Sequence, residues 1–252
     1  MNGLYADSLE EGFVCDGKVL QEAIRKIYGK DFNTLTDIER GLWNEFWKAF
    51  NEATDTGFHK RSPFQDDYAF YRELRYNNAV FAAFKAHRFQ NDIASQLLDE
   101  DGQLKPFDIF KRDVEKFVSP LHLESWLQTE YATAVIRAHQ ASDWRRFERD
   151  KDVLPRLRWV ESTSVHPGED HRVFWGIIRS IDDPFWSAHR PGDRWNCKCS
   201  LEATDEAETD IPDTGNLYAP APGLDNNPGR DAKLFSDTHP YIQNAYKERK
   251  RP

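Results

Sequence analysis

Cysteine and methionine are scarce in this chain of 252 residues, which has three Cys, at positions 15, 197 and 199, and one Met. An odd number of thiols, two of them in a Cys-x-Cys pair too tight for an ordinary structural bridge, excludes a disulfide-stapled scaffold and points to reduced cysteines. Long apolar runs are missing as well. No stretch approaches the roughly 20 apolar residues of a membrane span, and the opening MNGLYADSLEEGF lacks the basic and apolar regions of a secretion signal. The expectation is a chain with no membrane partner that stays in the cytoplasm of the cell that makes it. Positive charge is not in excess: 34 Lys and Arg against 43 Asp and Glu leave a formal charge of -9, which opposes indiscriminate binding to nucleic acid.

Aromatic residues are abundant, with 17 Phe, 9 Tyr and 8 Trp, and they supply a core despite the polar surface. In TDIERGLWNEFWKAF, Thr36 and Glu39 have capping-box spacing, and Ile38, Leu42, Trp43, Phe46, Trp47 and Phe50 recur as one helical stripe. A second helix is expected over about 67–98, with Phe70, Tyr71, Leu74, Phe81 and Phe84 inward. Pro106 suits the first turn of a short helix carrying Phe107, Phe110, Val114 and Phe117. A long helix from Leu121 to Glu148 follows, with Trp126, Leu127, Ala134, Val135 and Ala138 inward.

Beyond Pro155 the period shortens. RLRWVESTS and RVFWGII read as neighbouring strands around the polar turn HPGED, and WNCKCSLE alternates Trp195, Cys197, Cys199 and Leu201 against Asn196, Lys198, Ser200 and Glu202, the pattern of a half-buried strand. Residues 204–236 thin out into Asp, Glu, Pro, Gly and Asn, and HPYIQNAYKERKRP closes with a short helix and a basic end. The fold class is therefore α+β, a mainly α-helical N-terminal half followed by a small β-containing half. The expected division is a helical region 1–118, a central unit 119–205, and an extended segment with a terminal helix, 206–252.

The string DDPFWSAHRPGDRWNCKC, Asp182 to Cys199, resembles the core of the phage Mu F-like minor head proteins, also called phage head morphogenesis proteins. NNPGRDAKLFSDTHPYI, Asn226 to Ile242, is similar to the ending of that family. The resemblance marks Asp182, Asp183, Pro184, Phe185, Trp186, His189, Trp195, Asn196, Cys197 and Cys199 as its structural core. It implies a minor component of a tailed-phage or prophage head, made in the bacterial host cytoplasm and carried in the virion. The implied partners are the portal and other head proteins, with packaged DNA nearby, and the implied role is head assembly or genome delivery without catalysis. The rival class is a catalytic effector, either a metal-assisted nuclease or an ADP-ribosyltransferase-like domain.

No cofactor is required by the sequence, but His166, His171, His189, Cys197 and Cys199 fall within 34 residues and are ligand types suited to zinc. On a straight strand Cys197 and Cys199 stand about 7 Å apart, too far to share one ion, so only a bulge or bend lets both bind. The simpler expectation is that they are small core residues on a buried strand face. His171 or His189 with Asp182 or Asp183 could serve acid–base chemistry, yet Asp183 before Pro184 equally suits a helix start. Ser162-Thr163-Ser164 with Glu206-Ala207-Glu208 matches ADP-ribosyltransferase elements only as short tripeptides. Arg145, Arg146, Arg149, Lys151, Arg156 and Arg158 form a basic cluster for phosphate or an acidic partner, or simply a solvated helix end.

Overall fold

The structure, a computed structural model, describes residues 15–117, 120–215 and 218–248, and only the backbone of the helical residues at 117, 120–126 and 247–248. The opening MNGLYADSLEEGF, the side chains of Phe117 and Trp126 and the basic end after Glu248 lie outside the described residues. Helix α1 spans Gly17–Gly29, and the Asp16 carboxylate accepts the Lys18 amide at 2.8 Å, capping its first turn. Helix α2, Arg40–Thr54, begins three residues later than the Thr36–Glu39 spacing predicts. The amides of Thr36 and Asp37 donate instead to the Asn33 carbonyl, closing a turn. Glu39 is itself the cap: its buried carboxylate accepts the Leu42 amide at 2.7 Å and holds Lys26 Nζ at 2.8 Å. A wide π turn, Asp55–His59, continues α2.

Helix α3, Tyr68–Ala94, lies against α2, and its buried side runs Tyr71, Leu74, Asn78, Phe81, Ala82, Lys85, Ala86, Phe89, Gln90 and Ile93. The spacing is the helical one that the apolar residues announce, but three polar residues interrupt it, and each is tied down. Asn78 donates to the Phe50 carbonyl, to Asn51 and to Thr54, while Gln90 donates to the carbonyls of Thr34 and Asp37 and accepts the Glu39 amide. Helix α4 is Phe107–Phe117 and α5 is Pro120–Asp150.

The C-terminal half holds β1 (Arg156–Val160), a one-turn helix α6 (Glu169–Arg172), β2 (Ile178–Ser180), a one-turn helix α7 (Phe185–Ala188), β3 (Ser200–Thr204), α8 (Pro228–Asp231) and α9 (Pro240–Glu248). The strands form one antiparallel sheet in the order β2-β1-β3, with Leu157 opposite both Arg179 and Ala203. The α+β reading therefore holds. The expected pair from RLRWVESTS and RVFWGII exists, but Val173–Gly176 is a turn, and only Ile178–Ser180 is strand, because Gly176 adopts φ +82°. WNCKCSLE also departs from expectation: its strand begins at Ser200.

Two clusters of buried side chains share α5 as a spine. The larger gathers α1, α2, α3 and the Leu127–Ala141 part of α5, and also takes in Leu224, Leu234, Phe235 and Ile242 from the distant C-terminal segment. The smaller collects Trp144 and Phe147 from the end of α5 with Leu157, Trp159, Phe174, Phe185, Trp186, Cys197 and Cys199. A close seam lies at the π turn. A Cβ on Gly57 would stand 2.6 Å from the Ala138 Cβ and 2.8 Å from the His139 nitrogen, and these backbone and near-backbone atoms cannot yield. Gly57→Ala is accordingly expected to cost about 1–3 kcal/mol through overpacking, read by chemical denaturation, whereas Gly17→Ala, where the space is open, changes little.

Candidate functional site

The departure at WNCKCSLE builds the site. Asn196 adopts φ +56°, a left-handed conformation that Asn tolerates, and the chain reverses there instead of extending. Trp195 before the bend turns into the larger core, stacked on Phe235 at 5.9 Å and edge-on to His239 at 5.9 Å. Thr133 of α5 accepts the Asn196 amide at 3.1 Å and pins the turn. Cys197 and Cys199 after the bend enter the smaller core, 9% and 3% exposed. They are buried as expected, but beside Trp159 and His171, with Trp195 committed elsewhere.

His171 comes from α6 and meets both thiols. Its Nδ1 lies 3.2 Å from Cys197 Sγ and 3.7 Å from Cys199 Sγ, and its Nε2 lies 2.7 Å from Asp193 Oδ1. One ligating atom from each of His171, Cys197 and Cys199 falls within 4.8 Å of the others. The imidazole is held edge-on to the Trp159 ring, 5.1 Å between centroids. Asp193, 1% exposed, also accepts the Arg190 amide at 3.3 Å and Arg194 Nη1 at 3.2 Å, and Arg194 Nε reaches Asp170 at 2.7 Å.

This packing divides the charges. Burial pulls His171 down, but the hydrogen bond to Asp193 and the Cys199 sulfur outweigh it and hold the imidazole up at about 9. Cys199 falls to about 5 because Cys197 hydrogen-bonds to it, aided by His171, against the opposing effect of burial. Cys197 moves the other way, raised by its bond to Cys199 and by burial. The two sulfurs and the imidazole thus form one hydrogen-bonded cluster, oriented by a buried carboxylate.

The other expected ligands stand apart. His166 is exposed, and His189 lies over the Phe174 ring at 4.6 Å with a buried Nδ1 that has no hydrogen-bond partner among the described residues. The acid–base pairing of His171 with Asp182 or Asp183 does not form. Asp183 accepts the Phe185 amide at 2.7 Å and Arg179 Nε at 2.8 Å, so it starts α7 just before Pro184, while exposed Asp182 lies 3.9 Å from Lys151. Trp186 is fully buried and donates its indole N–H to the Ser180 carbonyl at 2.9 Å. The group that actually faces His171 is Asp193, which reads in sequence as an ordinary turn residue after Pro191-Gly192.

The basic cluster is neutralised from within. Arg145 and Arg149 both pair with Asp67, Arg146 with Asp143, and Arg158 with Glu202 and Glu206, while Arg156 donates to the carbonyls of Asp205 and Glu206. Glu208 accepts the Ser180 amide and pairs with Arg179, so neither glutamate of the Glu-x-Glu tripeptide is free. Leu35, Trp43, Tyr76, Val80, Phe84 and Tyr246 line an apolar groove of ≈ 710 Å³.

A profile of the family described as "Phage Mu protein F like protein" matches residues 108–202, from α4 through most of β3. This segment is Phage Mu F-like. The F-like segment contains His171, Asp193, Cys197 and Cys199, whereas the Asn226–Ile242 stretch lies beyond it. A "Mu-like prophage FluMu F protein" of Haemophilus influenzae is 30% identical over 80 residues, 32% of this chain and 19% of that protein. A "Putative capsid assembly protein F" of Escherichia phage Mu is 26% identical over 81 residues, 32% of this chain and 18% of that protein. The chain therefore aligns with about a fifth of the length of these relatives. No solved structure matches.

Proposed function

We propose that the chain is a minor head protein of a tailed phage or prophage, acting through the portal in head assembly or genome delivery and not as an enzyme. The observation that carries this reading is the F-like segment at 108–202, together with a relative named for capsid assembly. The geometry agrees in two respects. Asp183, the carboxylate of the DDPFW string, is spent on a helix start and an arginine pair, and the paired arginines favour protein neighbours over DNA phosphates. The functional unit is the F-like segment with α5 as its long axis, buttressed by the N-terminal helices and the C-terminal segment. No helix among the described residues is long and apolar enough to cross a membrane. The place of action is the virion, after synthesis in the host cytoplasm.

The test is to express the surrounding phage genes with this chain tagged and to separate head particles by density. The chain is expected to travel with particles and with the portal protein, and its deletion to lower the yield of DNA-filled heads. Particles formed and filled at the normal level without the chain would refute the proposal.

A further inference from the structure

We infer that His171, Cys197 and Cys199 form a zinc site, with two sulfurs and the imidazole Nδ1 as protein ligands and Asp193 positioning the imidazole. In a tetrahedral site with sulfur at about 2.3 Å and nitrogen at about 2.0 Å, ligand atoms are separated by about 3.5 Å for N···S and about 3.8 Å for S···S. The observed N···S distances, 3.2 and 3.7 Å, bracket the first of these, and no ligand atom is more than 4.8 Å from another. Cys197 and Cys199 precede the strand, which begins at Ser200, and their sulfurs stand closer than the roughly 7 Å that an extended chain would impose.

Three further observations fit a metal better than a core pair of thiols. A neutral imidazole offers one lone pair, and here two sulfurs converge on the same nitrogen, which a shared cation satisfies and two thiol donors cannot do equally. The other ring nitrogen faces a buried carboxylate, the arrangement that fixes tautomer and orientation in metal-bound histidines. Charge also balances: a divalent ion with two thiolates and a neutral imidazole sums to zero, leaving Asp193 to Arg194. Thiolates with imidazole select zinc over magnesium or calcium. A Cys-His-Asp nucleophile is the competing chemistry, but both sulfurs are buried, which a small ion can accommodate and a substrate carbonyl cannot.

The experiment uses the full chain, reduced, stripped with a chelator and titrated with Zn(II) against a chromophoric competitor. One zinc per chain is expected. Cys197→Ser and Cys199→Ser should each abolish stoichiometric uptake, Asp193→Asn should weaken it by about 10–100-fold, and Cys15→Ser should leave it unchanged. Because substitutions of buried residues can unfold the chain, two readouts use the unaltered protein. One equivalent of Co(II) should give a thiolate-to-metal charge-transfer band, and Zn(II) should protect Cys197 and Cys199, but not Cys15, from alkylation. Folded protein that takes up no zinc, a Co(II) spectrum without thiolate bands, or recovery of a Cys197–Cys199 disulfide from anaerobic preparations would each overturn the proposal.

Discussion

Arg137→Ala is expected to destabilise the protein by about 3 kcal/mol or more, because it strips several buried carbonyls of their donor at about 1–3 kcal/mol each. Arg137 projects from α5, is fully buried, and meets carbonyls instead of a carboxylate. It donates to the backbone oxygens of Leu234 at 2.5 Å, Gly192 at 2.6 Å, Leu224 at 3.2 Å and Asn226 at 3.0 Å, and to Asn226 Oδ1 at 2.6 Å. These acceptors belong to segments with no ladder of their own, so the guanidinium fork does for them what a neighbouring strand does in a sheet. Burial lowers its pKa to about 9, with Arg190 adding repulsion, which still leaves it charged at neutral pH. Each carbonyl left unpaired costs about 1–3 kcal/mol, and water entering the vacated space offsets part of the total. Arg137→Lys should recover only a fraction, because three donors on a point charge cannot reach a fan of acceptors. Equilibrium denaturation checks this, and a loss below about 1 kcal/mol would show that water replaces the fork.

Glu130→Ala should cost a similar amount, about 3–5 kcal/mol, by leaving the ammonium of Lys85 uncompensated. The two groups are in contact, with side chains 7% and 1% exposed, and Tyr241 donates its hydroxyl to the second carboxylate oxygen at 2.5 Å. Lys85 Nζ also lies 5.0 Å from the ring centres of Phe46 and Tyr241. Burial, and then Glu130, pushes the Tyr241 phenol far above its ordinary pKa, so it remains a donor at any working pH. The pair Lys85→Met with Glu130→Leu is expected to be less damaging than either single alanine, since no lone charge is left inside. A thermodynamic cycle over the four proteins measures the coupling, and additive losses would show that the two groups act independently.

The helices were legible because each needs only one stripe, and Leu42, Phe46 and Phe50 or Leu74, Phe81 and Ile93 spell it out. What periodicity leaves out is the polar residue inside the stripe. Asn78, Lys85 and Gln90 look like surface positions until the partner that satisfies each is known, and those partners lie 24 to 56 residues away in the chain. At the site, the two cysteines and His171 were visible as chemistry, but the alternation of WNCKCSLE is equally met by a strand and by a chain that bends once at Asn196. Only tertiary contacts choose: Trp195 fits between Phe235 and His239, and the sulfurs fit beneath Trp159. Asp193 was illegible for the same reason, because 22 residues separate it from the histidine it meets. The arginine cluster was misleading in the opposite sense, since Asp67, its main counter-charge, lies 78 residues upstream of Arg145.

Between Trp195, seated in the larger core, and Cys197, seated in the smaller, there is only Asn196. A tether of one residue has no slack to absorb relative movement, for neighbouring Cα atoms are fixed at 3.80 Å. Any fluctuation that draws the indole from its slot pulls on the sulfur that faces His171, and the reverse holds as well. The two cores are therefore expected to exchange as one cooperative unit, with amides in α2 and in β1 sharing a protection limit near the global unfolding free energy instead of opening as separate foldons.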